Sequence, residues 1–254
     1  MKKALFALAA VTAAALPLAA SAQLTANVSL TSNYKFRGQD QDQLKSNIGD
    51  RDKMFKPAIQ GGFDYAFGET GFYVGNWNSS VNWLPGNSIE SDIYGGYKMT
   101  AGDFALDFGT LAYLYPGAGN AKTLELYASA GWGPLVAKYS HTVSRDYFGT
   151  ARAIGANLDG RNTGYFNVAY AQEVYPSVTL KAALGFTRFS DDIRSNSTIR
   201  NYADYSIGAA YDFGSGVSLG AAVVGATKKD TFLFPATNKS INHNALIVTL
   251  TKAM

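Results

Sequence analysis

Leu24-Thr25-Ala26-Asn27-Val28-Ser29-Leu30-Thr31 places Leu24, Ala26, Val28 and Leu30 on one face and Thr25, Asn27, Ser29 and Thr31 on the other. Strict alternation of this kind predicts a β-strand with one apolar and one polar side. The pattern recurs downstream. Ile59, Gly61, Phe63, Tyr65 and Phe67 alternate with Gln60, Gly62, Asp64 and Ala66, and Val178, Leu180, Ala182, Leu184 and Phe186 alternate with Thr179, Lys181, Ala183, Gly185 and Thr187. About twelve such segments are predicted, at 24–36, 57–67, 71–80, 88–99, 103–115, 122–132, 135–143, 164–174, 178–189, 202–213, 217–228 and 243–252. Each is long enough to cross a bilayer as a tilted strand, which takes roughly 9–11 residues.

The connections alternate too. Gly68-Glu69-Thr70, Thr100-Ala101-Gly102, Gly133-Pro134, Tyr175-Pro176-Ser177 and Gly214-Ser215-Gly216 are short, with the Gly and Pro of hairpin turns. The intervening loops are mostly long and polar, the longest at 37–56 and 144–163. Short turns at one end and long loops at the other is the construction of bacterial outer-membrane barrels, with both termini on the periplasmic side. Phe67, Tyr97, Phe104, Trp132, Tyr175 and Phe213 fall at the short-turn ends of strands, and Tyr34, Phe36, Tyr115, Phe189 and Tyr202 at the long-loop ends. Two such rings are expected as girdles at the two lipid–water boundaries. A sheet crosses hydrocarbon only when it closes on itself, so that every backbone group is paired. The expected fold is therefore all-β: one transmembrane antiparallel barrel over residues 23–254, apolar outside and polar inside.

Composition narrows the function. The 254 residues include no Cys, which removes thiol catalysis, disulfides and Cys-based metal centres. Met1-Lys2-Lys3, an apolar stretch from Ala4 to Leu18 and Ala20-Ser21-Ala22 read as a secretory signal peptide over residues 1–22. Export through the general secretory pathway follows from that reading. Without it the net charge falls from +3 to +1, so no nucleic-acid partner is implied.

Leu24-Thr-Ala-Asn-Val-Ser-Leu-Thr-Ser-Asn-Tyr-Lys-Phe-Arg-Gly38 resembles the opening strand of the TorF family of porin-type proteins from proteobacteria. Pro57 to Tyr65, Gly71 to Trp77, Ile89 to Tyr97, Tyr113 to Pro116 and Thr123 to Tyr127 resemble segments that follow. The resemblance implies an outer-membrane channel that passes small solutes and is assembled by the barrel insertion machinery. The chain ends in Met254, where such barrels carry Phe or Trp. Weaker recognition by that machinery is the expectation.

Candidate sites follow from strand parity. The inward face is expected to carry Asp64, Glu90, Asp92, Asp107, Glu125, Glu173, Asp204 and Asp212, with Lys35, Lys98, Lys138 and Lys181. Eight acids against four bases would favour cationic or zwitterionic solutes along a wet path; the same charges could instead pair into a plug, which would make the barrel structural or adhesive. A lipid hydrolase in the barrel wall is the third reading, and it needs a hydroxyl nucleophile on the same face as a histidine. His141 is followed at the next same-face position by Val143, and His243 stands between Asn242 and Asn244, so no catalytic residue is expected. Asp40-Gln41-Asp42 and Asp50-Arg51-Asp52 lack the Gly and Glu that complete an EF-hand loop. Neither a metal nor a cofactor is expected. The expected partners are membrane lipid and a small hydrophilic solute.

Overall fold

The computed structural model describes residues 23–42, 55–84, 86–234 and 239–254. The expected signal peptide and Asp50-Arg51-Asp52 lie outside them.

Alternation produces the predicted sheet. Twelve strands form one closed antiparallel barrel: β1 (Gln23–Thr31), β2 (Ala58–Ala66), β3 (Phe72–Ser80), β4 (Ile89–Ala101), β5 (Phe104–Leu114), β6 (Thr123–Trp132), β7 (Leu135–Thr142), β8 (Gly164–Tyr175), β9 (Val178–Arg188), β10 (Tyr202–Gly214), β11 (Val217–Ala226) and β12 (Ala245–Ala253). Each strand pairs with its chain neighbours. Closure comes from β1 against β12, in the register Asn27 opposite Ala253 through Thr31 opposite Thr249. Met254 and Ala26 exchange backbone hydrogen bonds at 2.8 and 3.1 Å, so the last residue finishes the seam. None of the twelve barrel strands keeps an unpaired edge, which a sheet surrounded by hydrocarbon requires.

The two faces differ as alternation demands. Leu30, Ile59, Phe63, Ile93, Phe108, Leu126, Leu184, Ile207 and Leu250 are exposed on the outer surface. Their strand neighbours Ser29, Gln60, Asp92, Asp107, Glu125 and Asp204 are buried inside. In water an exterior this apolar would be a large liability; against lipid tails it is matched. Glycines on the inner face make room for tyrosines on adjacent strands. A Cβ at Gly185 would lie 2.2 Å from the Tyr165 hydroxyl and 2.5 Å from an Asp204 oxygen. Tyrosine rings laid across such glycines fill the sheet where a side chain is missing.

Two expectations are corrected. First, β1 ends at Thr31 rather than at residue 36. Beyond it Lys35–Phe36 and Gln39–Asp40 form a miniature hairpin of their own. Its turn residues Arg37 and Gly38 have φ of 47° and 77°, the left-handed pair that a two-residue hairpin loop needs. Lys35 therefore belongs to a loop inside the barrel and not to the wall. Second, the aromatics at the long-loop ends form no lipid-facing ring. Tyr34, Tyr115, Phe189 and Tyr202 are buried, Phe36 is half-buried, and all five pack in two clusters beneath the loops. The loops supply apolar partners such as Val81, Phe148 and Ile193, so these rings are drawn inward. The ring of Phe67, Tyr97, Phe104, Trp132, Tyr175 and Phe213 at the short-turn end is exposed, as a girdle requires.

Candidate functional site: a lumen closed from the long-loop end

The hairpin after β1 folds into the barrel and spans it. Its base is fixed by Asn33, whose Nδ2 donates to Asp40 Oδ1 at 3.1 Å, and by Lys35 Nζ, 3.1 Å from the same oxygen. Lys35 also donates to the Ile241 carbonyl at 3.0 Å, and Gln39 Nε2 donates to Asn242 Oδ1 at 3.0 Å. One side of the hairpin is thereby tied to the loop that leads into β12. At its tip Arg37 reaches the far wall, where Nη2 donates to both carboxylate oxygens of Glu125 on β6, at 2.9 and 2.7 Å. The guanidinium carbon sits 4.2 Å from the centre of the Tyr165 ring on β8 and 4.8 Å from that of Phe36. Both partners of the ion pair are almost wholly buried, with side-chain exposures of 6% and 1%.

Around the hairpin the wall is acidic and rich in tyrosine. Glu90 on β4 accepts from Tyr34 at 2.7 Å and also from Tyr115. Tyr165 donates to Asp204 on β10 at 3.1 Å. Asp92 Oδ1 and Asp204 Oδ2 are buried with no hydrogen-bond partner among the described residues. Closer to the short turns the chemistry changes. Asp107 accepts from Tyr73 at 2.8 Å, and Tyr73 also meets the Tyr127 hydroxyl. Lys98 lies directly across from Asp107 in the β4–β5 register and stands 4.5 Å from the centre of the Tyr73 ring. Lys138 stands 3.8 Å from the centre of the Tyr127 ring. Asp64 accepts from Tyr94 at 2.8 Å and, like Lys98 and Lys181, is half-buried.

Of the twelve residues expected inside, Glu90, Asp92, Asp107, Glu125, Lys138 and Asp204 are buried against the interior. Glu173 and Asp212 sit at the short-turn mouth, where each accepts from the backbone N–H of a turn residue, Ser177 at 3.0 Å and Gly214 at 2.8 Å. Arg37, Tyr34, Tyr115 and Tyr165 complete the site and were missing from the expectation. Strand parity cannot find a residue such as Arg37 that a loop carries inward, whereas Tyr165 has inward parity on β8 and is missed when only charged residues count.

The remaining candidates have local partners. Asp40 is held by Asn33 and Lys35 within the hairpin. His141 is bracketed by the Tyr139 hydroxyl at 3.2 Å and Asn162 Oδ1 at 3.1 Å, while Ser140 and Thr142 are buried on the opposite face. His243 Nδ1 bonds the Ser240 carbonyl at 2.7 Å. Among the described residues no group of three or more His, Asp or Glu is placed to hold a metal ion.

The fold is similar to that of two solved porins. The NanC porin shares 9% identity over 91% of this chain and 99% of its own, with a TM-score of 0.58. The KdgM porin shares 7% identity over 90% and 97%, with a TM-score of 0.53. At such identities the likeness is one of architecture. No curated protein matches the sequence. A family model described as a bacterial protein of unknown function (Gcw_chp) matches residues 16–254, and the chain belongs to that family.

Proposed function

We propose that the protein is a channel of the bacterial outer membrane, of the TorF type, that lets small hydrophilic solutes diffuse passively through its lumen. One observation carries the reading: an apolar cylinder encloses charged side chains, and a short hairpin held by an ion pair stands across the passage, packed against loop residues such as Tyr147 and Phe148. Charges at the centre of a structure are costly unless they are paired or meet water. Toward the short turns Asp64, Lys98 and Lys181 are half-buried, which suits a wet vestibule, while Asp107 and Lys138 are buried beside tyrosine rings. In this reading residues 1–22 are the export signal, the short turns face the periplasm and the long loops face outward. The expected lining residues, Lys35 excepted, form the wall of the path. No enzymatic step is assigned to it.

The acidic wall near the hairpin favours cationic or zwitterionic solutes, because the field of the lining charges sets selectivity. A salt gradient across planar bilayers holding the purified protein tests this. The expected reversal potential has the sign of cation preference; an anion-selective current would overturn the preference.

A second reading, a plugged structural or adhesive barrel, is favoured by the dense packing of Tyr34, Tyr113, Glu90 and Glu125 around the hairpin. It predicts no current even after the Arg37–Glu125 pair is removed.

A further inference from the structure

Arg37 is held unlike any other cation in the described interior. Its backbone has φ of 47°, a conformation that costs an ordinary residue energy and is kept where the surroundings over-determine it. Its guanidinium is seated in parts that belong to the wall, not to its own loop. Glu125 supplies both carboxylate oxygens, and the Tyr165 ring supplies a flat face at 4.2 Å. Tyr147, from the loop after β7, approaches Nη1 through its hydroxyl at 3.4 Å. A planar donor fork against a carboxylate, stacked on an aromatic face, is recognition matched to guanidinium and poorly matched to a compact ammonium.

The wall holds more negative charge than Arg37 answers. Asp92 and Asp204 are both more than nine-tenths buried, and each has one oxygen with no hydrogen-bond partner among the described residues. Asp204 adjoins this site directly, since it accepts at 3.1 Å from the hydroxyl of the same Tyr165 whose ring lies against Arg37. Buried acceptors left without a donor are the mark of a site that has capacity for one.

We propose that Glu125, Tyr165 and Asp204 form a recognition subsite for solutes that carry a guanidinium group, and that Arg37 fills it at rest as a tethered stand-in. A solute of that class replaces Arg37 on Glu125, and the hairpin tip is released from the far wall as it binds. The proposal deepens the channel reading and rests on it for its biological meaning, but the subsite can be measured without any current.

The test is chemical rescue in detergent. In Arg37→Ala the subsite is vacated and Glu125 is left without its partner. Propylguanidinium should raise the thermal unfolding midpoint of this variant, with an apparent affinity about tenfold higher than propylammonium, the worth of one further charge-assisted hydrogen bond. In Arg37→Ala/Glu125→Gln neither probe should act. If Arg37→Ala does not fold, Arg37→Lys serves, since it keeps a positive charge opposite Glu125 but lacks the fork; propylguanidinium should shift it too. Equal responses to the two probes, no response, or an undiminished response in the Glu125→Gln background would each overturn the subsite. In parallel bilayer recordings, agmatine should raise the wild-type open probability more than 1,4-diaminobutane does. Rescue without current in any variant would overturn the channel reading and leave the subsite standing. Current without rescue would overturn the subsite alone.

Discussion

The two halves of the lumen are made by the same alternating strands and end up opposite in character. Toward the long loops several inward residues meet a partner from a loop, as Glu125 meets Arg37 and Glu90 meets Tyr34. Thr142, Thr187, Glu90, Glu125 and Tyr202 are almost wholly buried there. Toward the short turns several inward residues of the same strands, Asp64, Lys98, Thr179, Lys181 and Asp212, are half-buried, with Asp107 and Lys138 buried between the two zones. The strands do not create this gradient; the loops do, above all the hairpin around Arg37. A barrel wall thus specifies an interior, and a loop decides how much of it water reaches.

The largest difference expected between the halves is in accessibility. The chain has no Cys, so single cysteines report without background. Thr179 and Thr187 lie on β9 with the same inward parity, one half-buried and the other with 0% exposure. A small charged thiol reagent should label Thr179→Cys rapidly and Thr187→Cys slower by orders of magnitude. Equal rates would erase the distinction.

Energetics should divide in the same way. Glu125→Ala strands a buried guanidinium and should cost about 3–5 kcal/mol in denaturant unfolding from detergent, whereas Lys98→Ala, with its charge partly in water, should cost at most about 1 kcal/mol. The contrast between inside and outside comes next. Leu184 is 68% exposed near the middle of β9, and Leu184→Arg should cost about 2–4 kcal/mol when the barrel is in a bilayer. A change as small as that for Lys98→Ala is expected from Tyr94→Phe. It removes a hydrogen bond to Asp64 of 2.8 Å, but water can replace the donor there, so the loss should stay near about 1 kcal/mol. A much larger loss would mean that the short-turn half is as dry as the other.

Most of the barrel was legible in the sequence because its cause is local. Period-two alternation depends only on neighbours in the chain, and it placed Ile59, Leu184 and Leu250 outside and Glu90, Asp107 and Asp204 inside, as found. The short turns announced themselves through Gly and Pro. What escaped was long-range. Tyr34-Lys35-Phe36-Arg37 continues the alternation of β1, and Arg is not a residue that signals a left-handed turn, so the segment reads as strand. Arg37 is held where it is mainly by residues far off in sequence, Glu125 some 88 positions away and Tyr147 and Tyr165 further still. The upper aromatics failed for a related reason: parity and position along a strand suit either a lipid boundary or an inner cluster, and the loop residues that choose between them lie far off in sequence.

Planar-bilayer conductance of the wild type against Arg37→Ala/Glu125→Ala puts the whole account to the proof. The double variant removes the latch without leaving either charge unpaired. A small wild-type current that rises severalfold in the double variant is predicted. Inserted proteins with equal conductance, or with none in either form, would contradict a polar passage closed by this hairpin.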